Sequence, residues 1–521
     1  MDHDGENRTP DLPPKNLGVE QPPQGLSGEQ EAEFEAAIAK VETAVEDRAG
    51  EHRYKQELSR SITVLGNIFI TLSGVTPAAS VFIIAPVALG VAGSGSFLSF
   101  VFAAIVGVLM AFCWAELSAA YPIAGGDYAL VWHSFKGKTS PLAGPMSFIT
   151  FSLYADFIAF IPAVIALGAG TYFGVVANVD PRYVGAAIMI LAAGVAMLKI
   201  RFNAIVTGAF LTLELTALLI LTVLGFTHSR AHNWSALIHP VVGAAHGVLA
   251  PVAFSGVLAL TSVAIFSYNG YANSVNFAEE TAGPSRNVAK AILWSLVITV
   301  LAELIPITAT LVGAPSLATM TRSAVPLQYF IEATSNKTLY DIVSILIVLA
   351  IFNAVIAIVL SYARILYSAA RDRAFPGPVS KWMSYIHPHY QTPWLPTMFI
   401  GVLGAVLCLT VSLNTLVNLT GASLVADYAF IAIAALVGRP TGATSNSSYK
   451  MPLWPLPPLL ALASLGYVFT QQTSLLLKVT LITMAVGLVY WALVILPQHG
   501  KAWNLRSAAV DEGHHLEEAA E

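Results

Sequence analysis

Long apolar runs fill most of the chain between Ser61 and about residue 496, and few folds can hold them. A stretch of about 18 or more apolar residues with hardly a charge reads as a helix that crosses a bilayer. The charge content agrees: 11% of the residues are charged, where a soluble domain carries about 25%. The fold class expected is therefore an all-α polytopic membrane protein. The formal charge of −5 and the lack of a basic patch give no nucleic acid a footing, and the bilayer is the one macroscopic partner implied. Cys113 and Cys408, the two cysteines, lie inside apolar runs and read as small hydrophobes; the chain spells out no disulfide framework or metal-ligand cluster. The first sixty residues are polar, and the first apolar run is too long for a signal-peptide core.

Taken in order, residues 1–60 form an expected cytoplasmic region, rich in Pro, Gly and charge up to about residue 27 and helix-forming over 28–59. Twelve spans are expected near 61–89, 95–120, 141–175, 182–200, 203–227, 253–281, 288–314, 338–369, 394–411, 414–437, 455–471 and 474–496. The third and eighth are long enough to tilt strongly. With the amino terminus in the cytoplasm, fourteen of the Lys and Arg residues in loops and tail fall inside and five outside, and the seven before the first span join the inside set. That bias fixes the orientation with both termini cytoplasmic. Arg364, Arg371 and Arg373 mark the cytoplasmic edge in this scheme. His228, His232, His239 and His246 share one external loop and read as solvated.

Two spans are interrupted by turn residues. The first carries Ser73-Gly74-Val75-Thr76-Pro77, and the sixth carries Ser267-Tyr268-Asn269-Gly270. Irregular backbone at membrane depth survives only where protein buries it or a cavity borders it, so paired interruptions point to a binding site. Thr76 is expected to cap the second half of the first span, with Pro77 in its first turn. The N–H groups of Ala78, Ala79 and Ser80 would then face the break unpaired, with a helix dipole behind them, as a site for a carboxylate. The sixth span would present unpaired carbonyls near Ile265 to Ser267, suited to an ammonium group. Together they describe a site for an α-amino acid. The interruptions fall in the first and sixth spans, so 61–227 and 253–437 read as equivalent five-helix units inserted in opposite senses. Helices 455–496 are an appendix, and 497–521 is a cytoplasmic tail.

Three motifs resemble a known family. Ala278-Glu-Glu-Thr-Ala-Gly-Pro-Ser-Arg-Asn-Val-Ala-Lys-Ala-Ile292 is similar to the signature that follows the sixth helix of amino acid–polyamine–organocation permeases. Glu116-Leu-Ser-Ala-Ala-Tyr-Pro-Ile-Ala-Gly-Gly-Asp-Tyr128 resembles their second-helix motif, and Ala363-Arg-Ile-Leu-Tyr-Ser-Ala-Ala-Arg-Asp-Arg-Ala-Phe-Pro376 the end of their eighth helix. The resemblance implies a LeuT-type fold of five plus five inverted helices with two added, and alternating access around the two broken helices. It also implies that Phe266 is an aromatic lid, that Ser267 and Gly270 belong to the sixth-helix break, and that Tyr154, Ala155 and Ile358 line the pocket. Ala78-Ala79-Ser80 takes the place of a Gly-Ser-Gly-like triplet of many relatives, and the lysine that some proton-coupled relatives carry on the fifth helix is missing.

Acidic residues inside spans are costly in lipid and often functional. Asp156 is a candidate amine or proton site, with helix packing as the alternative; Glu214 and Glu303 read as interior packing or proton sites, and Asp427 as structural. Asn353 and Ser361 are candidate sodium ligands, although serine also bonds its own helix. Nothing in the sequence supplies a nucleotide-binding loop or a hydrolytic constellation. The function expected is a secondary active transporter of amino acids, not an enzyme, without a cofactor and coupled to H+ or Na+, most naturally in the plasma (inner) membrane. A polyamine or organic-amine carrier is the alternative within the class, and a sensor that binds amino acids without transporting them is the alternative outside it. The side chain recognised and the oligomeric state are not legible.

Overall fold

Apolar periodicity and well-placed caps make helices of most of the described residues. The computed structural model describes residues 62–505 except Ala124, Lys136, Lys199, Pro388, His389, Gln391, 499–501 and Asn504. These residues fall within the unit Gln56–Leu505. The helix expected over 28–59, the rest of the amino-terminal region and the tail past Leu505 lie outside the described residues.

The chain enters through α1 (Val64–Val75), where the Thr63 hydroxyl accepts the Gly66 N–H. Pro77–Ala79, a π-helical turn Ser80–Ile84 and Ala85–Ala92 then follow without interruption as α2 (77–92). Next come α3 (Ser96–Ala120), the short α4 (Asp127–Ser134), α5 (Ser140–Ala177), α6 (Pro181–Ala196) and α7 (Ile200–Thr227). The run resumes with α8 (Thr261–Tyr268), a 3-10 helix Tyr271–Glu280, α9 (Pro284–Gly313) and α10 (Lys337–Arg371). It closes with α11 (Trp394–Thr410), α12 (Leu413–Gly438), α13 (Leu456–Thr470) and α14 (Ser474–Tyr490). Polar residues start several of them: Asp180 accepts the Arg182 N–H before α6, Asn336 the Leu339 N–H before α10, and Ser412 the Thr415 N–H before α12.

Among the described residues, seven helical stretches are long and apolar enough to cross a membrane, and the first, Val64–Ala120, runs through two expected spans. Pro181–Ala196, Trp394–Thr410 and Leu456–Thr470 are shorter apolar helices. Side chains such as Leu191, Leu219, Trp294, Leu301, Val402 and Val486 point outward uncovered, as lipid-facing residues do. Helices meet through small residues. A Cβ on Gly225 of α7 would lie 2.3 Å from the Ala309 carbonyl of α9, so the two backbones touch there and nothing larger than glycine fits.

Paired strands occur in the loop between α7 and α8. There Val241–Gly243 (β1) pairs antiparallel with Leu249–Pro251 (β2), Val242 opposite Ala250. The loop is ordered rather than freely solvated. Ser94 Oγ donates to the Ala236 carbonyl and accepts the Val241 N–H, and the Asn233 amide donates to the carbonyls of Leu311, Val312 and Ala314. Asn233 is thereby buried, its side chain holding the loop. Of the four histidines, His232, His239 and His246 are exposed, and His228 is bonded to its own helix through the Leu224 carbonyl. Cys113 and Cys408 are free and buried.

Candidate functional site

Both interruptions fall where the turn residues put them. α1 stops at Val75 because Thr76 adopts a left-handed conformation, φ 51° and ψ 72°, and Pro77 brings no N–H to continue the ladder. α8 stops at Tyr268, because Asn269 is extended and Gly270 takes φ 113°. The two interruptions touch. A Cβ on Gly270 would stand 3.1 Å from Val75 Cγ2 and 3.2 Å from Val75 Cα.

The groups freed there find partners inside the protein. Ser80 Oγ donates to the Ser267 carbonyl at 2.7 Å, tying α2 to the end of α8. Ser267 Oγ donates in turn to Glu303 Oε2 of α9 at 2.7 Å. The Ala78 N–H donates to Glu214 Oε1 of α7 at 2.7 Å. Asn269 donates to the Tyr428 hydroxyl of α12 at 3.0 Å. This corrects the expectation of free N–H groups at two of the three positions. Ala78 is occupied by Glu214, the Ser80 N–H returns to the Thr76 carbonyl at 3.1 Å, and Thr76 makes no side-chain cap. Ala78, Ala79, Phe266 and Ser267 are all buried at this junction.

A polar seam continues from the interruptions toward the end of the bundle where α1 begins. Asn67 donates to Thr281 Oγ1 at 2.9 Å, and the Thr71 and Ser274 hydroxyls meet at 3.0 Å. Ile62 pairs in parallel with Thr281, its N–H on the Glu280 carbonyl and its carbonyl on the Ala282 N–H. Glu280 holds Arg364 in a buried ion pair at 2.6 Å, with the guanidinium 5.2 Å from the centre of the Phe277 ring. Arg364, expected to mark the cytoplasmic edge, is buried with its partner acid. At the same end Glu116 binds Arg439 through two contacts of 2.8 Å. At the other end a cavity of about 430 Å³ lies open, bordered by Phe82 and Val87 of α2, Gly168 and Tyr172 of α5, Ser323, and Asn418 of α12.

The remaining candidates are placed unevenly. Asn353 donates to Ser73 Oγ at 2.6 Å, joining α10 to α1, whereas Ser361 accepts Asn276 at 2.8 Å. Ile358 between them is buried. The Tyr154 hydroxyl donates to Asp127 Oδ2 of α4, and Ala155 is exposed. Asp156 accepts Ser423 Oγ at 2.8 Å from α12 and Thr483 Oγ1 at 3.4 Å from α14, which commits it to a different junction. Sequence reasoning does not join Glu303, Tyr428 and the Glu280–Arg364 pair to one site. Its signal for the last is that Glu280 and Arg364 each fall in a family-like motif.

Comparison with known proteins agrees with this architecture. The family described as amino acid permease matches residues 62–496. The methylthioribose transporter of Bacillus subtilis is 24% identical over 387 residues, 71% of this chain and 79% of the relative. The branched-chain amino acid permease BcaP of the same organism is 22% identical over 475 residues, 87% of this chain and 96% of the relative. Human cationic amino acid transporter 4 is 26% identical over 395 residues, 73% of this chain and 60% of the relative. The family and these relatives are transporters, not enzymes. The chain belongs to the amino acid permease family, within the amino acid–polyamine–organocation superfamily, and is an integral membrane protein.

Proposed function

We propose that the protein is a secondary active transporter of amino acids and that its substrate binds where the two interruptions meet. The contact of Gly270 with Val75 carries this reading, because it brings two stretches of irregular, small-residue backbone together in the bundle interior. In this reading the chain makes twelve crossings with both termini in the cytoplasm, in the plasma (inner) membrane. Its first ten crossings form two inverted units of five. A regularity in the contacts favours the repeat: each interruption is bonded to the last helix of its own unit, Ala78 to Glu214 and Asn269 to Tyr428.

Alternating access supplies the mechanism. The open cavity beside Phe82 would be the external entrance, and the Glu280–Arg364 and Glu116–Arg439 pairs would close the cytoplasmic end. Phe266, buried at the end of α8, would be the lid whose movement exposes the bound substrate. Coupling is to H+ rather than Na+ in this reading, because Ser361 Oγ, one of the two oxygens considered for sodium, already accepts the Asn276 amide. Uptake into proteoliposomes tests the reading: substrate should accumulate, and replacing sodium with choline should leave the rate unchanged. Binding without flux would favour the sensor, and a sodium requirement would return Asn353 and Ser361 to an ion site.

A further inference from the structure

Two buried acids from different elements meet near the interruption of α8. Asp127 opens α4, between two membrane-crossing stretches, and Asp427 lies in the middle of α12. They are 4% and 1% exposed, and their carboxyls are within hydrogen-bond reach of each other. Two carboxylates do not share such a contact, because neither brings a hydrogen and their charges repel. One of the two therefore holds a proton. Asp127 Oδ1 accepts the Trp114 indole N–H at 2.6 Å, and its Oδ2 accepts the Tyr154 hydroxyl at 3.1 Å. Asp427 Oδ1 is buried with no hydrogen-bond partner. Asp427 is thus the protonated acid, and Asp127 is the carboxylate with donors around it.

That carboxylate is balanced between keeping its charge and losing it. Burial raises the affinity of Asp127 for a second proton, and the hydrogen bonds from Trp114, Asp427 and Tyr154 oppose the rise. The other titratable groups facing the pair are Tyr154 of α5, Tyr271 of the 3-10 helix, Tyr362 of α10 and Tyr428 of α12. Tyr128, next on α4, is turned to Asp372 instead. Among the described residues neither acid has a Lys, Arg or His partner. Phenols ionise only near about pH 10. Among these groups, the acid pair alone changes charge in the physiological range.

The pair is also connected to the interruption. Trp114, which binds Asp127, packs edge-on against Tyr271 and Tyr428, with ring centres 5.6 Å and 4.7 Å away. Tyr271 follows Gly270, and Tyr428 holds Asn269 through its hydroxyl. Hydrogen bonds to a charged acceptor are stronger than bonds to a neutral one. A second proton on the pair would loosen Trp114 and Tyr154 from Asp127.

Resting on the H+-coupled reading above, we infer that the Asp127–Asp427 pair is the proton-binding site of transport. It alternates between one bound proton and two, and its charge sets how firmly Trp114 is held against the tyrosines beside the interruption.

Two readouts on the full-length protein test this. In infrared difference spectra, Asp427→Asn should lack a protonated-carboxyl band that the native protein keeps at about pH 8. Asp127→Asn should lack a band that the native protein gains on acidification to about pH 5. Spectra identical to the native ones in both variants overturn the inference. In proteoliposomes, an entrapped pH-sensitive dye counts the protons that enter with an equimolar mixture of labelled proteinogenic amino acids. The native protein should move protons with label, and both variants should lose protons moved per label carried. A merely structural role would lower the flux of label without changing that ratio. If the native protein carries label without protons, the H+ reading falls and the inference falls with it. If it moves protons and both variants keep its ratio, the inference alone falls.

Discussion

Thr76 and Gly270 do the same work by different means. Both hold backbone in the left-handed region, but threonine is β-branched and is strained there by on the order of 1–3 kcal/mol, while glycine is not. Gly270→Ala should therefore lower stability by about 1–3 kcal/mol, since it adds that strain and a Cβ pressed against Val75. Thermal unfolding in detergent measures it, and an unchanged transition would contradict the contact. Arg364→Ala should cost more, about 3–5 kcal/mol, because Glu280 would stay buried without its partner. Changing both, to Met at 364 and Gln at 280, should recover much of the loss, and a double variant as unstable as the single one would argue against a simple ion pair. Phe266→Ala should raise the KM for uptake if the ring closes over substrate; unaltered kinetics would remove it from that role. Asp156 shows where reading by position misleads. It follows Tyr154 closely in sequence, but successive helical residues point about 100° apart, and its contacts lie with α12 and α14.

At the scale of elements, the interruptions were legible because turn residues inside an apolar run break a helix wherever the run lies. The helices were legible for a similar reason: α3, α5, α9 and α10 match apolar runs that no turn cluster breaks. What filled the freed backbone groups was not legible. Glu214 lies 136 residues from Ala78, and Glu303 lies 36 residues from Ser267, so packing of α7 and α9 decides both contacts. The paired strands Val241–Gly243 and Leu249–Pro251 were missed because short segments rich in Gly, His and Pro carry no clear period. That loop is fastened to the turn between α2 and α3 by Ser94 and to the end of α9 by Asn233. Asn233→Ala should remove the side-chain donor shared by the carbonyls of Leu311, Val312 and Ala314, of which Val312 keeps the Arg230 N–H, and lower the melting temperature. Full retention of stability there would mean that other contacts hold the loop.

For the whole molecule, the three motifs lie within the stretch that the family matches, residues 62–496. Membrane insertion follows from the apolar helices, whereas transport of a given substrate depends on what happens where α1, α2 and α8 meet. Ala79 is fully buried at that meeting point, and its small side chain leaves the backbone approachable. The decisive measurement is counterflow in proteoliposomes, comparing the native protein with Ala79→Leu after both are shown to be folded and equally inserted. The native protein should exchange internal for external labelled substrate, and Ala79→Leu should lose both binding and exchange. Undiminished binding and exchange in Ala79→Leu would place the substrate elsewhere and contradict a site at the two interruptions.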